Sequence, residues 1–432
     1  MEFSKICVLG LGYIGLPTAS TFATHGLQVV GVDINTKVLE TLRNGELHIH
    51  EPGLRTLVNA ALCSGNLTIS ETPEAADAFI IAVPTPFDKD KHADLSSVKA
   101  AGRAIVPHLQ PGNLVVLEST SPPRTTRDVL APILEESGLK AGSDFLLAYS
   151  PERVLPGKIL QELIENSRVV GGIDQASTGA GRELYQTFVR GEIVLSDATT
   201  AEMVKLMENT YRDVNIAVAN EFARLGERFE IDIWEAIEIA NRHPRVSILQ
   251  PGPGVGGHCI GVDPWFLVEA APDVTHLVEA ARQVNDSQPR HVLNLVMNAL
   301  GAPSSLARRK IAVLGLSYKA NVDDLRESPA IEIAQLLVEA GAQVTAYEPY
   351  RLDAAIAGVQ TTTSIAEAVD GAELLLLLVK HKEFVELNPN ELAGQTPARI
   401  AVDAVNGWPT HPWIAAGFKI YTLGVGKRNA NR

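Results

Sequence analysis

Lys5-Ile-Cys-Val-Leu-Gly-Leu-Gly-Tyr-Ile-Gly-Leu-Pro17 is the stretch on which the fold turns. Its opening Lys5–Leu9 is an apolar run of strand length. Gly10-x-Gly12-x-x-Gly15 follows directly, and a helical pattern over Pro17–Thr24 comes next. In that setting the first glycine permits the tight turn, the second lets backbone approach a pyrophosphate, and the third allows close helix packing. The helix N-terminus then favours the phosphate charge. Asp33 ends the next predicted strand, Leu27–Val32, 21 residues after Gly12. A carboxylate there accepts both ribose hydroxyls and repels a 2′-phosphate, which predicts NAD rather than NADP. A glycine turn that binds no nucleotide is the bland alternative; strand, turn, helix and acid in register leave it a small share.

Outward from this stretch, apolar runs alternate with helical ones: strands over Ala78–Val83, Leu114–Leu117 and Phe145–Tyr149, a helix over Asn35–Asn44. That alternation reads as a parallel sheet with crossover helices. A second start appears late, since Lys310-Ile-Ala-Val-Leu-Gly-Leu-Ser-Tyr318 echoes residues 5–13 almost letter for letter. Gln343–Glu348 then echoes Gln28–Asp33, and Glu373–Val379 echoes Asp77–Val83. The expected class is α/β, with two Rossmann-like doubly wound domains joined by a central helical region that contains a long helix. The expected boundaries are 1–195 for the NAD-binding domain, 196–300 for the helical region and 301–432 for the second Rossmann-like domain. The second copy keeps Gly315 alone, so it is predicted to bind something other than a dinucleotide.

In the central region, Thr199 and Glu202 form a T-x-x-E capping box. Met203, Met207, Tyr211, Val214, Val218, Phe222 and Leu225 recur every three or four residues as one apolar stripe. Lys205, Asn209 and Arg212 recur on another face; a solvated polar stripe is the usual meaning of such spacing, although Asn209 and Asn215 are mediocre helix formers. A long helix between two domains is a natural dimerisation element.

Composition closes off other classes. The 432 residues carry 37 Lys+Arg against 51 Asp+Glu, a formal charge of −14, which argues against a nucleic-acid partner. Hydrophobic residues at 46% and charged residues at 20% fit a globular chain. Three scattered cysteines, Cys7, Cys63 and Cys259, make neither a disulfide framework nor a zinc cluster, so no metal site is expected and a reducing, cytoplasmic setting fits best. No apolar run reaches membrane-span length, and Ile6–Leu9 leads into a glycine loop rather than a signal-peptide cleavage site.

Two further stretches point to chemistry. Val83-Pro84-Thr85-Pro86 and Glu118-Ser119-Thr120 end later strands, and ligands of doubly wound sheets bind at strand carboxyl ends. Prolines ending strands and a hydroxyl capping a helix explain Thr85 and Thr126 equally well, taken singly. In Pro253-Gly-Val-Gly-Gly-His-Cys-Ile-Gly-Val-Asp263, glycines flank one thiol, and a carboxylate follows four residues later. The glycines would let a substrate approach the sulfur and leave backbone N–H groups available. A buried structural cysteine is the commoner case, but it would need neither feature, and Cys259 is read as a nucleophile. His258 beside it either lowers the thiol pKa or points away into a hydrogen bond of its own.

These residues together resemble the UDP-glucose/GDP-mannose dehydrogenase family along essentially the whole chain. The successive signatures are Gly10-Leu-Gly-Tyr-Ile-Gly-Leu-Pro17, Val83-Pro-Thr-Pro86, Glu118-Ser-Thr-Ser-Pro122, Ser150-Pro-Glu-Arg153, Gly256-Gly-His-Cys259 and Asp323-Asp-Leu-Arg-Glu-Ser-Pro329. Pro151–Gly157, Asn241–Cys259 and Val262-Asp-Pro-Trp-Phe266 resemble most the branch that oxidises UDP-N-acetyl-D-mannosamine at C6. The same chemistry on UDP-N-acetylglucosamine or another UDP-sugar is the alternative.

The resemblance implies a four-electron oxidation of the C6 alcohol to a carboxylate with two NAD, in the service of cell-surface polysaccharide. It implies Cys259 as covalent nucleophile through a thiohemiacetal and a thioester. Lys205 would stabilise the oxyanion, Asp263 and Thr120 would order the catalytic water, and Glu152 would be the acid–base carboxylate. NAD contacts would be Gly10, Gly12, Tyr13, Ile14, Gly15, Asp33, Thr85, Thr126 and Arg326. Substrate contacts would be Arg153, Val154, Lys205, Asn209, Arg212, His243, Arg245, Gly256, Tyr318 and Lys319, with Arg245 reaching across a homodimer. Three departures stand out. Pro156 replaces a second glutamate found in UDP-glucose members, Val405 stands where relatives carry a basic residue, and Pro123-Arg124 replaces a pair ending in glycine.

Overall fold

The computed structural model describes residues 3–49, 51–155, 157–257, 260–302 and 304–426. The chain divides into two compact units: Met1–Glu208 with Trp265–Pro272, and Asn209–Pro264 with Asp273–Arg432.

The first unit holds eight strands: β1 (Lys5–Leu9), β2 (Gln28–Val32), β3 (Leu67–Ser70), β4 (Ala78–Ile81), β5 (Leu114–Leu117), β6 (Leu146–Tyr149), β7 (Arg168–Gly172) and β8 (Ile193–Asp197). Their order in the sheet is 3-2-1-4-5-6-7-8, and only the β6–β7 pair is antiparallel. Alternation on β1 shows why both faces are covered. Ile6 and Val8 join one apolar cluster with Leu16 and Phe22 of the crossover helix Gly15–Thr24, while Cys7 and Leu9 join the opposite cluster with Phe79 and Tyr149. A strand buried on both sides reads as a continuous apolar run, which is how β1 and β4 look in the sequence.

The second unit repeats the plan with β9 (Lys310–Leu314), β10 (Gln343–Tyr347), β11 (Gln360–Thr362), β12 (Leu374–Leu377), β13 (Ile400–Asp403) and β14 (Lys419–Thr422), ordered 11-10-9-12-13-14. Counted from its first strand, this is the 3-2-1-4-5-6 order of a dinucleotide-binding sheet. Ile311 and Val313 face one cluster and Ala312 and Leu314 the other. Two Rossmann-like sheets and the 32-residue helix Ala198–Phe229 match the predicted fold class.

One local prediction fails. Thr199 and Glu202 do not form a capping box. Asp197 opens the long helix instead, accepting from the Thr200 amide at 3.0 Å and its hydroxyl at 2.5 Å. The Glu202 carboxylate is fully buried and turned to other work: it accepts the amides of Arg124 and Thr126 and the Thr126 hydroxyl. Sequence spacing identified a helix start correctly, but a tertiary demand claimed the glutamate. The apolar stripe is real and outward-facing, with Met203, Met207, Tyr211, Val218 and Leu225 all exposed. Leu206, Ala217 and Ala223 supply buried positions on the same helix.

Candidate active site

In the first unit, Gly10 closes the turn after β1 at φ +93°, and its amide donates to the Val32 carbonyl at 2.8 Å. A Cβ on Gly15 would stand 1.8 Å from the Gly10 carbonyl oxygen, so the crossover helix can start at that point only with glycine there. A Cβ on Gly12 would meet nothing within 4 Å, which leaves open ground over the loop. Asp33 Oδ2 accepts the Leu11 amide at 2.9 Å and Oδ1 the Asn35 amide at 2.8 Å, so the half-buried carboxylate is fixed beside the turn. A tight first glycine, an unobstructed second, a packed third and an oriented acid fit NAD at every point the structure tests.

Two residues at this turn escaped the sequence reading. His48 donates from Nε2 to the Leu11 carbonyl at 2.9 Å, and burial pushes its pKa down. Ile34, 92% exposed beside Asp33, offers a bare apolar face. No motif spacing marks either one; only the folded loop brings His48 across.

At the carboxyl ends of β4 and β5, the Thr85 hydroxyl donates to the Thr120 carbonyl at 2.6 Å, which brings those two predicted residues together. Thr126 is fully buried, with its hydroxyl on Glu202 at 2.6 Å. The preceding Arg124 adopts φ +72°, a left-handed conformation that glycine would take without strain. Arg153 forks onto Glu208 and donates to the Ser167 carbonyl at 3.0 Å. Lys205 is half-buried on the long helix and makes no ion pair among the described residues.

Glu152 belongs to a cluster that the sequence did not announce. Arg168 Nη2 binds Glu118 Oε1 at 2.5 Å, its Nη1 reaches Glu152 Oε2 at 3.3 Å, and its Nε donates to Ser150 Oγ at 2.8 Å. The Tyr185 hydroxyl donates to Glu118 Oε1 at 2.6 Å, and the Arg168 guanidinium lies 3.9 Å above the Tyr185 ring. Burial raises the Glu118 pKa to about 7 despite Arg168. An open cavity of 770 Å³ in this unit, lined by Asp174, Arg182 and Asp197 among others, touches none of the predicted site residues.

In the second unit, Cys259 and His258 lie outside the described residues, as does Pro156 in the first. The segment leading to Cys259 is firmly held. Gly252 donates its amide to Asn220 Oδ1 and its carbonyl accepts from Gln288 Nε2, both at 2.9 Å. Asn220 is tied to Asn285, which binds Asp213, and Arg282 pairs with Asp213. The glycines that follow serve a purpose other than the one the sequence suggested. A Cβ on Gly256 would stand 2.5 Å from the Glu327 carbonyl oxygen, and one on Gly257 would stand 2.8 Å from the Tyr318 ring. The Gly257 amide donates to the Arg326 carbonyl at 3.3 Å. These glycines therefore seat backbone against Tyr318 and the 326–329 turn, rather than leaving every amide open.

Asp263 is buried and accepts from Asn209 Nδ2 at 2.5 Å, so two predicted site residues meet directly. Arg326 forks onto Asp324, with bonds of 2.9 and 2.6 Å. Arg212, His243 and Arg245 are exposed. Asn241 clasps the loop that carries His243 and Arg245 by exchanging two hydrogen bonds with Ile248, a closure that sequence spacing did not signal. Beside Val405, Lys380 Nζ donates to the Asn406 carbonyl at 2.9 Å, so a cation from another segment reaches the turn that lacks one of its own. Burial raises the Cys7 pKa to about 11, which leaves that thiol inert. No metal-binding cluster occurs, and no helix is long and apolar enough to cross a membrane, among the described residues.

Comparison with known proteins agrees with this geometry. Residues 4–189 match the NAD binding domain of the UDP-glucose/GDP-mannose dehydrogenase family, 199–287 its central domain and 312–410 its UDP binding domain. A UDP-N-acetyl-D-mannosamine dehydrogenase of Methanocaldococcus jannaschii is 46% identical over 98% of this chain and 97% of its own. An NDP-N-acetyl-D-galactosaminuronic acid dehydrogenase of Ralstonia nicotianae is 48% identical, covering 94% and 97%. A solved UDP-D-ManNAc dehydrogenase from Pyrococcus horikoshii superimposes with a TM-score of 0.90 at 40% identity, covering 97% and 99%. The glycine turn and sheet order, with the family match, define an NAD-dependent oxidoreductase. More narrowly, the chain belongs to the UDP-glucose/GDP-mannose dehydrogenase family, and its cofactor is NAD.

Proposed function

We propose that the protein oxidises the C6 alcohol of UDP-N-acetyl-D-mannosamine to the carboxylate, giving UDP-N-acetyl-D-mannosaminuronate. The observation that carries this reading is full-length similarity at 46% identity to a relative named for that sugar, joined to the held Gly252–Gly257 segment that precedes Cys259 in the sequence. When bound, NAD takes the hydride lost from C6 in each of two rounds. Gly10, Gly12, Tyr13, Ile14, Gly15, Asp33, Thr85, Thr126 and Arg326 are its proposed contacts. Thr126 joins that set on the family resemblance alone, since both its amide and its hydroxyl are committed to Glu202.

After the first hydride loss, the Cys259 thiolate adds to the C6 aldehyde and forms a carbon–sulfur bond. Loss of the second hydride from this thiohemiacetal leaves a thioester. Lys205 stabilises the oxygen charge that develops at C6. Thr120 and Asp263 order a water, Glu152 takes its proton as the water adds, and the carbon–sulfur bond breaks to release thiolate and acid. One alcohol, two NAD and one water thus yield one carboxylate, two NADH and three protons. The Asn209 amide on Asp263 supports this role because it orients the carboxylate.

Arg153, Val154, Lys205, Asn209, Arg212, His243, Arg245, Gly256, Tyr318 and Lys319 are the proposed substrate contacts. The exposed face Met203–Met207–Tyr211–Val218–Leu225 supports a homodimer, and a reducing cytoplasm would keep the thiol available. The Ralstonia relative favours a second reading, the same oxidation on a UDP-N-acetylgalactosamine. NADH yield with the mannosamine, glucosamine, galactosamine and glucose UDP-sugars decides between them. Two NADH per mannosamine sugar supports the proposal; two from another sugar keeps the chemistry and moves the substrate. Cys259→Ser should still bind NAD and form almost no acid, and unchanged acid formation would remove the covalent route.

A further inference from the structure

The Glu118–Arg168–Glu152 cluster is costly. Arg168 and Glu118 are buried to within a few per cent, and desolvation of such charges amounts to several kcal/mol per ion that apolar side chains would not incur. Topology explains how the arginine arrives. Of the sheet's strand pairs, only β6–β7 is antiparallel, with Ala148 opposite Gly172 and Tyr149 opposite Gly171. Carrying that register three residues further sets Glu152 opposite Arg168. In a parallel continuation, the first residue of β7 would lie at the far end of the sheet, away from the strand carboxyl ends where this fold binds its ligands.

The guanidinium is shared unequally. Its Glu118 bond is 2.5 Å, with the Tyr185 hydroxyl on the same oxygen, whereas its Glu152 bond is 3.3 Å. Glu152 is otherwise held at Oε1 by the Arg153 amide at 2.6 Å. Glu118 Oε2 is buried without a hydrogen-bond partner among the described residues, and Glu208 pairs with Arg153. Two carboxyl groups therefore share one cation, and the shorter bond belongs to Glu118.

We propose that Arg168, brought to the strand carboxyl ends by the antiparallel β7 and anchored by its shorter bond to Glu118, is the positioning residue for the Glu152 carboxylate. The inference rests on the proposed acid–base role of Glu152.

The test uses the full chain. Glu118→Gln retains an acceptor oxygen for Tyr185 and Arg168, so it should keep the arginine, and with it the acid limb of the kcat/KM profile, in place. Arg168→Lys keeps one charge but loses the fork, so its limb should move upward with a fall in kcat of about tenfold. Thermal unfolding of each variant separates these shifts from fold damage, which would lower rates at every pH without moving a limb. An unmoved limb and unchanged kcat in folded Arg168→Lys overturn the inference if Glu152→Gln has lost the limb. Full turnover and an intact limb in Glu152→Gln would instead remove the reading of Glu152 itself.

Discussion

The two Rossmann-like halves share a backbone plan down to single hydrogen bonds, and they diverge at one carboxylate. Gly10 and Gly315 turn at φ +93° and +95° and donate to the Val32 and Tyr347 carbonyls. Asp33 accepts the Leu11 amide and Glu348 the Leu316 amide, each at the end of its second strand. Asp33 remains half-buried, able to meet a ribose. Glu348 is 2% exposed and fully engaged: it also accepts the Ser317 amide at 2.9 Å and faces His381 Nε2 at 3.1 Å. His381 Nδ1 in turn accepts the Asn321 amide at 2.9 Å, which fixes the proton on Nε2. The first half leaves its acid half-exposed; the second buries its own against its loop. That loop runs to Ser328 before the next helix, Pro329–Glu339, and carries Tyr318 and Lys319. One added methylene on the acid and one histidine thus convert a dinucleotide turn into a rigid platform for another use.

The sharpest way to break the comparison is Gly15→Ala. Its Cβ would fall on the Gly10 carbonyl oxygen, so turn and helix must separate. We expect a loss of about 3 kcal/mol in stability and at least about 100-fold in NAD affinity, read by thermal unfolding and NADH fluorescence titration. The matching position in the second half is Ala320, already an alanine, because its helix does not start there. Wild-type affinity in Gly15→Ala would mean that the first turn is as tolerant as the second.

Exchange of the two acids should give opposite phenotypes. Asp33→Ala should weaken NAD about tenfold, as loss of a charged hydrogen-bonding partner does, and narrow its preference over NADP. Glu348→Gln should leave NAD affinity alone and cost about 2 kcal/mol of stability, since buried amides lose a charged acceptor. Burial pushes the Glu348 pKa up, but His381 and the two amides outweigh it and hold it below the usual range. The sign follows: stability from Glu348 is complete above its unfolded value of about 4.3 and is lost as pH falls through the lower folded value. Glu348→Gln should abolish that part of the acid-induced destabilisation. NAD affinity falling in Glu348→Gln would show that the second turn still serves the cofactor.

This contrast also shows how far a sequence can be read. The echo of residues 5–13 at 310–318 exposed both sheets, because strand, turn and register are written in local pattern. Loss of Gly12 and Gly15 from the second copy correctly marked it as a different binding unit. The reason stayed hidden, because Glu348 meets His381 across 33 residues, and nothing local reports that meeting. Arg168 and Tyr185, the latter 67 residues from Glu118, likewise look like ordinary strand and helix residues until the antiparallel β7 gathers them. Glu202 shows the opposite failure: its spacing satisfied a local motif while the fold used it elsewhere. Spacing finds groups that act on their neighbours in sequence; groups that act on other groups across the sheet emerge only from packing.

The smallest predicted difference tests whether the echo is energetic as well as geometric. At the opposite end of each sheet, Asp77 and Glu373 occupy matching sites, their amides donating to the Lys5 and Lys310 carbonyls at 2.9 and 2.8 Å. The shorter Asp77 carboxylate gathers three donors on one oxygen, the Ser4 amide, the Ser4 hydroxyl and the Lys5 amide, each at 2.8 Å. The longer Glu373 instead reaches outward to Arg309 at 2.5 Å and only grazes the Lys310 amide at 3.4 Å. Backbone donors are already ordered by the strand, whereas an exposed arginine must be immobilised to pair. Asp77→Ala should therefore cost about 1 kcal/mol and Glu373→Ala about half as much, with the second effect fading in salt. Urea unfolding at low and high ionic strength measures both. Equal, salt-insensitive losses would mean that the two strand ends are held alike, and that the halves differ only where ligands bind.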